Sequence, residues 1–309
     1  MKKYSVLIPV YNSQDTIQKV VEGVINEFIK NSLDYEVVLV NDGSADTSWT
    51  IIAELAKANK RIVSVNLLKN YGQHTAVFCG LKYASGDYII TMDDDLQNPP
   101  DQIVSLIGKI EEGHDAVFGK FMVKQHGVIR KMGSKIITLI NRKIFNSPQD
   151  LVLSNFRIIT RAVANRILDY KTNYPYITGL VLMFSHNMAN VEVRHEKRAS
   201  GKSKYSVVKI LQVVSLILFN YSSYPLRLVS VIGLMISLLS FAMGAFFLIK
   251  TLMAGSHVSG WTSIVVLITF FNCMVSLMLG MIGEYIARLI NQMALSSPYY
   301  IKDAINHEK

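Results

Sequence analysis

The segment that decides the fold lies in the first third of the chain. Residues 88–100 read Tyr-Ile-Ile-Thr-Met-Asp-Asp-Asp-Leu-Gln-Asn-Pro-Pro. The first five are aromatic, apolar or β-branched, as expected of a buried strand, and the three acids follow directly. Adjacent carboxylates repel one another, so the cluster is favourable only where a cation is shared between them. The segment predicts a strand that ends in a cation-binding loop, and the alternative is a solvated acidic loop.

Similar apolar runs recur on both sides of this segment and alternate with helical patterns. The segment between the first two predicted strands has six apolar residues at helical spacing, which is typical of a helix packed on a sheet. Because helices separate the strands, we expect an α/β fold with a doubly wound, mostly parallel sheet whose ligands bind at the carboxyl ends of the strands. The predicted strands are Ser5–Val10, Glu36–Asn41, Ile62–Leu67, Tyr88–Met92 and Ala116–Phe118; the helical stripe is Ile17, Val20, Val21, Val24, Ile25 and Phe28.

Composition and charge narrow the functional classes. The chain has 309 residues, of which 50% are hydrophobic, so it is not a disordered protein. Its two cysteines, Cys79 and Cys273, exclude a disulfide framework and a thiolate zinc site. The net charge is −6 for residues 1–119, +13 for 120–209 and +2 for 210–309. A basic middle segment suits nucleic acid, anionic lipid or phosphorylated substrates.

Two long uncharged runs favour anionic lipid over nucleic acid as a partner of the basic middle segment. Leu228–Ile249 and Ser263–Gly283 contain no charged residue, and each is long enough as a helix to cross about 30 Å of hydrocarbon. They predict two transmembrane helices, against the alternative of buried core helices. Lys and Arg flank the pair, so we expect both termini on the cytoplasmic side. Residues 207–224 predict an amphipathic helix in the membrane interface or an ordinary surface helix.

Polar residues follow the first two predicted strands as well. Tyr11 comes after the first strand and Asp42 after the second, so both belong to the same edge of the sheet. An aromatic ring can stack on a nucleobase, and a carboxylate can accept hydrogen bonds from a base or a ribose. At the fourth strand, Asp95 offers a hard oxygen ligand that suits Mg²⁺ or Mn²⁺ bridging to a diphosphate. Such an ion stabilises the charge on a departing nucleotide diphosphate.

These motifs resemble those of the family 2 glycosyltransferases, which have the GT-A fold. The resemblance rests on residues 9–12, 41–44, 70–74 and 93–100. With Pro225-Leu226-Arg227 and Gly283–Arg288 it extends over nearly the whole chain, and more narrowly it is to the polyprenyl-phosphate glycosyltransferases. It implies inverting transfer from a nucleotide diphosphate sugar, uridine-linked by analogy, to polyprenyl (undecaprenyl) phosphate at the inner (plasma) membrane, for cell-envelope glycan modification. Packing as a homo-oligomer is also implied by such relatives.

The resemblance also implies roles for individual residues. Residues 198–204 match an Arg-x-x-Gly-x-Ser-Lys segment expected on the donor diphosphate. Asp150 is the best match to a family aspartate on the acceptor side, although Asn155 stands where the family has a second carboxylate. A helix-like basic stretch offers candidates for the acceptor phosphate, or a headgroup-facing surface. The expected sites are Pro9, Tyr11, Asp42, Asp93 and Asp94 for the nucleotide; Asp93, Asp95 and Gln97 for the metal; Asp95 and Asp150 for catalysis; Arg198 and Lys204 for the diphosphate; and Arg130, Lys131 and Lys135 for the acceptor phosphate.

The expected organisation is a catalytic domain over 1–206, the interfacial helix over 207–224, a two-helix membrane region over 225–290 and a cytoplasmic tail over 291–309. Two alternatives remain. A processive polysaccharide synthase, or a transferase to another lipid, predicts more membrane helices and an Arg-Trp pair that this chain lacks. A membrane-anchored lipid-binding scaffold predicts no divalent-ion dependence. Nucleic-acid binding is not expected, because aromatic residues do not interleave the basic stretch.

Overall fold

A computed structural model gives the fold for most of the chain. It describes residues 2–121, 128–194, 196, 207–254, 260–294 and 297–307, without the side chains of residues 128–136 and 207–210 and several others in the long helices. Two compact units are distinguished: residues 1–210 with 296–309, and residues 211–295. The first unit contains the whole sheet.

All five predicted strands are present, and three more join them in one eight-stranded sheet of order β7-β5-β6-β4-β1-β2-β3-β8. The prediction of a mostly parallel sheet holds for four of the seven strand pairs: β1 pairs in parallel with β2 and β4, β2 with β3, and β5 with β7. β6 runs antiparallel to β4 and β5, and β8 runs antiparallel to β3, so the sheet is mixed. The strands are β1 (Lys3–Val10), β2 (Asp34–Asn41), β3 (Ile62–Leu67), β4 (Tyr88–Thr91), β5 (Ala116–Phe121), β6 (Arg157–Thr160), β7 (Met188–Val193) and β8 (Ile301–Ile305).

Helices cover the sheet and complete the core of the first unit. The predicted stripe of the first helix is confirmed, because five of its six residues are buried and Ile25 packs partly buried against them. Burial of each such side chain contributes roughly 1.5–3 kcal/mol to folding. The helices are α1 (Ile17–Lys30), α2 (Ser48–Ala58), α3 (Gln73–Leu81), the 3-10 helix Pro100–Gln102, α4 (Ile103–Ile110), α5 (Val128–Phe145), α6 (Arg161–Asp169) and α7 (Ile177–Phe184).

Three further helices follow: α8 (Val207–Tyr221), α9 (Tyr224–Ala254) and α10 (Trp261–Ala294). Helices therefore form over the segments predicted to be interfacial and membrane-spanning. Within this second unit the Phe219 and Tyr285 rings pack 5.9 Å apart, and the Tyr285 hydroxyl donates to the carbonyl of Ser222 at 3.5 Å. Judged by length and hydropathy over the residues described, none of the helices meets the requirements of a membrane span.

Candidate active site

The loops after β1, β2 and β4 meet at the carboxyl edge of the sheet. Parallel pairing sets Val10 beside Asn41 and Leu7 beside Thr91, so the three strands end together. The Asp94 carboxylate accepts hydrogen bonds from the Tyr11 amide, at 3.0 Å, and from the Ser13 hydroxyl. The acidic loop thus holds the loop that presents the Tyr11 ring, which is 50% exposed. Asp94 therefore contacts the predicted nucleotide-binding loop with its side chain, through the Tyr11 amide and the Ser13 hydroxyl.

Asp42 is buried at the end of β2 and joins a second loop to this edge. Its two carboxylate oxygens accept hydrogen bonds from the amides of Tyr71 and Gly72, at 2.7 and 2.9 Å. Burial raises the pKa of Asp42, and these two hydrogen bonds oppose the rise. The next residue, Gly43, has φ +64°, and a Cβ there would lie 2.4 Å from the backbone of Lys69 and Asn70. Glycine is therefore required for the close approach of the two loops.

Asp93 lies in an environment that is unfavourable to a negative charge. Its pKa is raised to about 7, because burial desolvates it and because Asp95 and Asp94 repel its charge. The side-chain amide of Gln73 donates a hydrogen bond to Asp93 Oδ1, and the positive charge of Arg157 also favours the ionised form. A divalent cation would relieve the same repulsion.

Asp93 lies in a small cleft lined by residues of β1, α3, β4 and β6. Arg157 at its base is buried; its Nη1 donates to the Thr178 hydroxyl at 3.0 Å, and its guanidinium lies 6.0 Å from the Phe118 ring centroid. Burial lowers the pKa of Arg157 to about 10 and, with the Arg157 charge nearby, that of His74 to about 4. The lining residues are Pro9, Gln73, His74, Val77, Thr91, Met92, Asp93, Asn155 and Arg157.

Asp95 and Gln97 continue the acidic loop. The Gln97 amide donates to Asp95 Oδ1 at 3.1 Å, across a turn in which Leu96 has φ +59°. Over the described part of the chain, no three His, Cys, Asp or Glu side chains already form a metal-binding group. The oxygens of Asp93, Asp95 and Gln97 are nevertheless of the hard type that Mg²⁺ and Mn²⁺ prefer, and both ions commonly take substrate phosphates and water as remaining ligands. The donor set fits such an ion.

The residues that follow β7, just before the basic segment, lie beside the acidic loop. The Glu196 amide donates to the carbonyl of Gln97 at 3.0 Å. The Arg194 amide donates to Gln102 Oε1 at 3.0 Å, and the Arg194 guanidinium pairs with Asp101. Arg198 and Lys204, the predicted diphosphate ligands, lie outside the described residues.

The structure brings Asn155, and not Asp150, to the cleft. Asp150 is exposed in a turn after α5, whereas Asn155 lines the cleft and its carbonyl accepts a hydrogen bond from the Thr91 hydroxyl at 2.7 Å. The loop between them is held by Asn190, whose side chain exchanges two hydrogen bonds of 2.8 Å with the backbone of Val152. A catalytic role for Asp150 stays a prediction.

The predicted acceptor residues Arg130, Lys131 and Lys135 belong to α5, and their side chains lie outside the description. The second half of α5 is described, and it packs on the first turn of α7. The Phe145 ring lies 6.1 Å from that of Tyr176, and the Asn141 side chain donates to the Tyr176 hydroxyl at 3.1 Å. The Tyr176 ring in turn meets His74 edge-on at 5.1 Å, so α5 is connected to the cleft through packed side chains.

Sequence reasoning missed Gln73, His74 and Arg157 as individual cleft residues, and Thr178 as the hydrogen-bond partner of Arg157. Residues 70–74 are a motif of the resemblance, which locates the first two without assigning roles to them. Arg157 opens a four-residue strand, Arg-Ile-Ile-Thr, and an arginine among β-branched residues is a signal of a buried, partnered charge. Thr178 has no signal in the sequence, because only the packing of α7 brings it to Arg157.

Comparisons with known proteins agree with this geometry. The Glycosyl transferase family 2 model matches residues 5–169. Undecaprenyl-phosphate 4-deoxy-4-formamido-L-arabinose transferases of Proteus mirabilis (strain HI4320) and Klebsiella pneumoniae (strain 342) are each 31% identical to this chain, over 100% and 99% of it and 96% and 94% of their own lengths. These relatives confirm the narrower resemblance to polyprenyl-phosphate glycosyltransferases.

Solved structures share the fold. Glucosyl-3-phosphoglycerate synthase from Mycobacterium tuberculosis, in complex with Mn²⁺, uridine diphosphate and phosphoglyceric acid, has a TM-score of 0.52 at 20% identity, over 70% of this chain and 78% of that one. Mannosyl-3-phosphoglycerate synthase from Rubrobacter xylanophilus has a TM-score of 0.50 at 15% identity, over 69% and 74%. The expectation drawn from the acidic loop and its neighbouring motifs is confirmed: the chain belongs to glycosyl transferase family 2.

Proposed function

We propose that this chain transfers a sugar from a nucleoside diphosphate sugar to undecaprenyl phosphate, which gives a lipid-linked sugar phosphate for modification of the cell envelope. The observation that carries the proposal is the similarity along the full chain to transferases named for that acceptor, at 31% identity. The site supports it, because loops from three parallel strands present an exposed aromatic ring, a buried carboxylate and an acidic cluster at one edge.

The nucleoside would bind between the loops after β1 and β2. Tyr11 offers an exposed ring for stacking, and Pro9 lines the cleft beside Asp93. Asp42 is held by the Tyr71 and Gly72 amides, so its orientation is fixed, and its remaining lone pairs would accept hydrogen bonds from the base or the ribose. Uridine is the favoured base, because the glucosyl-3-phosphoglycerate synthase of like fold is described with uridine diphosphate.

Asp95, Asp93 and Gln97 would hold Mg²⁺ or Mn²⁺, with Asp95 the principal ligand. When bound, the ion neutralises charge on the leaving diphosphate. Arg198 and Lys204 would neutralise the remaining phosphate oxygens, since charge-assisted hydrogen bonds to phosphate are strong. The Glu196–Gln97 hydrogen bond supports this assignment, because Arg198 follows Glu196 by only two residues.

The reaction would be a direct displacement with inversion. An oxygen of the acceptor phosphate attacks the anomeric carbon and forms a new carbon–oxygen bond, while the bond from that carbon to the diphosphate breaks and its electron pair leaves with the nucleotide. A phosphate monoester is already largely anionic at neutral pH, because its second pKa is about 6. The chain therefore needs to position the acceptor phosphate and to neutralise negative charge, and it does not need to remove a proton. Arg130, Lys131 and Lys135 on α5 are the proposed acceptor-phosphate ligands.

A lipid acceptor requires the enzyme to work at a membrane. The uncharged runs 228–249 and 263–283 lie within α9 and α10, and both helices carry many exposed large apolar side chains, such as Leu234, Leu238 and Leu279. An apolar surface of this kind is typical of a membrane or protein interface. We therefore assign α9 and α10 as the anchor in the inner membrane and α8 as an interfacial helix. The Lys and Arg residues that flank the pair assign both termini to the cytoplasm. We also propose that the chain forms a homo-oligomer, as its resemblance to relatives with two membrane helices implies.

The experiment that tests the proposal uses the full chain in detergent with radiolabelled nucleotide sugars. A panel of uridine- and guanosine-linked donors is supplied with undecaprenyl phosphate and Mg²⁺ or Mn²⁺, and the lipid product is extracted and counted. The proposal predicts transfer from at least one uridine-linked donor and none when a chelator is added. Hydrolysis of donors without any lipid-linked product would contradict it.

A further inference from the structure

The last described residues, 297–307, belong to the first unit, which contains the candidate active site and is called the catalytic unit below; they are not a free tail. β8 adds an antiparallel strand to the edge of the sheet, pairing Ser64 with Ile305 and Leu67 with Ile301. Most side chains of β8 are exposed, so main-chain hydrogen bonds rather than burial hold this strand. We call residues 299–307 the C-terminal segment.

Two side chains anchor the C-terminal segment at its ends. Tyr299 is buried, with its hydroxyl beside the Cys79 thiol of α3 and Lys82 Nζ 5.4 Å from its ring. At the other end, the Asn306 side chain donates to the carbonyls of Asn59 and Ile62, at 3.2 and 2.9 Å, and also reaches that of Ala56. Anchors at both ends fix the register of the strand between them.

From this segment a continuous series of contacts reaches the carboxylates of Asp42 and Asp93. The Leu68 amide donates to the carbonyl of Tyr300 at 2.9 Å. Lys69 and Asn70, the next two residues, lie against Gly43. The amides of Tyr71 and Gly72 then bind Asp42, and Gln73 binds Asp93.

We propose that the C-terminal segment positions the donor-binding loop 69–73, so that Asp42 and Asp93 are correctly placed only when residues 299–307 are docked on β3. Tyr299 and Asn306 are then positioning residues for donor binding, and neither touches the substrate. The inference rests on the proposed function for its ligand, a nucleoside diphosphate, but the geometry of loop 69–73 can be measured without any ligand.

The test compares the full-length wild type with Asn306→Gly and Tyr299→Phe. Asn306 has φ +59°, so glycine keeps the backbone conformation and removes only the side-chain hydrogen bonds. Tyr299→Phe removes one hydroxyl and keeps the buried ring. Matched controls are Asn31→Ala, which removes a side-chain amide bonded to the carbonyl of Glu27 at the far end of α1, and Tyr300→Phe, whose ring is exposed.

Two measurements without turnover, and a kinetic assay of sugar transfer that gives the donor KM and the acceptor KM, are made on each folded variant. Amide hydrogen exchange at Tyr71 and Gly72 reports the loop directly, and titration with uridine diphosphate and Mg²⁺ reports donor binding. For Asn306→Gly we expect faster exchange at both amides and affinity weaker by about tenfold, the change that corresponds to loss of one or two hydrogen bonds. For Tyr299→Phe we expect a smaller change in the same direction, with the acceptor KM and both controls within about twofold of wild type.

Unchanged amide exchange at Tyr71 and Gly72 in a folded Asn306→Gly variant would overturn the proposal. An equal rise of the donor KM and the acceptor KM would overturn it as well. If Asn306→Gly does not fold, Tyr299→Phe decides by the same criteria. Should the wild type bind no nucleotide, the proposed function fails, and the exchange rates still decide whether the segment positions the loop.

Discussion

The side-chain amide of Gln73, the first residue of α3, donates a hydrogen bond to Asp93 of the acidic loop. Asp42 binds the two amides immediately before Gln73, so three consecutive residues, 71–73, bridge the acids that follow β2 and β4. The site is therefore held together from the β3–α3 connection, which contributes no carboxylate of its own. Disturbing this bridge should alter donor binding before it alters the fold.

Asp42→Asn should weaken donor binding and loosen the loop. An amide can replace only one of the two acceptor oxygens, and its NH₂ group would face the N–H of Tyr71 or Gly72. A buried donor left unpaired costs about 1–3 kcal/mol. We expect a lower unfolding midpoint and weaker binding of uridine diphosphate. Asp34→Asn at the opposite end of β2, where the carboxylate forms only a partly exposed pair with Arg61, serves as the control and should leave nucleotide affinity unchanged.

Acid should destabilise the catalytic unit through His74. Its pKa in the fold is about 4, against an ordinary value near 6.5, so the unfolded chain binds the proton more readily. The resulting stability is fully present above pH 6.5 and is lost as the pH falls toward 4, for a maximum change of about 3 kcal/mol. The difference in urea unfolding free energy between the wild type and His74→Gln, followed from pH 4 to 7, measures this contribution, because Asp93 with its raised pKa changes stability in the opposite direction over the same range.

His74→Gln should reduce that acid sensitivity. His114→Gln should not, because His114 lies in a surface loop beside Glu112. Titration of the His74 imidazole by NMR supplies a direct check on the native protein. A pKa at or above 6.5 would contradict the burial and the nearby Arg157 charge as causes.

Gly179→Ala should destabilise the packing between α5 and α7. A Cβ at this position would lie 2.5 Å from Phe145 Cζ and 2.6 Å from Tyr176 Cδ1, so one of two buried rings must move. Overpacking of this kind costs about 1–3 kcal/mol. Gly108→Ala in α4 is the contrasting variant, because nothing lies within 4 Å of a Cβ there. Helix propensity predicts that it stabilises the protein by roughly 0.5–1 kcal/mol. Opposite shifts in denaturant midpoint are expected.

The central strands and the acidic loop are predictable from the sequence because burial leaves a strong pattern. The residues of β1 to β4 are almost all buried, so each strand appears as a continuous apolar run. β8 leaves no such pattern: its sequence, Ile-Lys-Asp-Ala-Ile, is mostly exposed, and it is a strand only because the edge of β3 offers unpaired backbone groups. The prediction of a tail over 291–309 considers only the side-chain pattern, and it therefore misses this strand.

Strand direction and cleft membership need the third dimension. β6 has four residues, and nothing in Arg-Ile-Ile-Thr indicates that it inserts antiparallel between β4 and β5. That insertion carries Arg157 and Asn155 into the cleft and leaves Asp150 in an exposed turn. The positions of the acids are thus predictable from the ends of the strands, whereas the cationic and amide groups around them depend on which strand lies next to β4.

The central claim is that the acidic loop, with Asp95 as principal ligand, uses a divalent cation to bind a nucleotide diphosphate for transfer to a lipid phosphate. The most direct measurement is sugar transfer to undecaprenyl phosphate by the full-length wild type, Asp95→Asn and the surface control Asp169→Asn, at matched folded concentrations with and without Mn²⁺. We predict metal-dependent transfer by the wild type and the control, and a loss of about 10²-fold or more for Asp95→Asn, the scale expected when electrostatic stabilisation of a leaving group is removed. Full activity of Asp95→Asn, or transfer by the wild type that persists after chelation, would contradict the account.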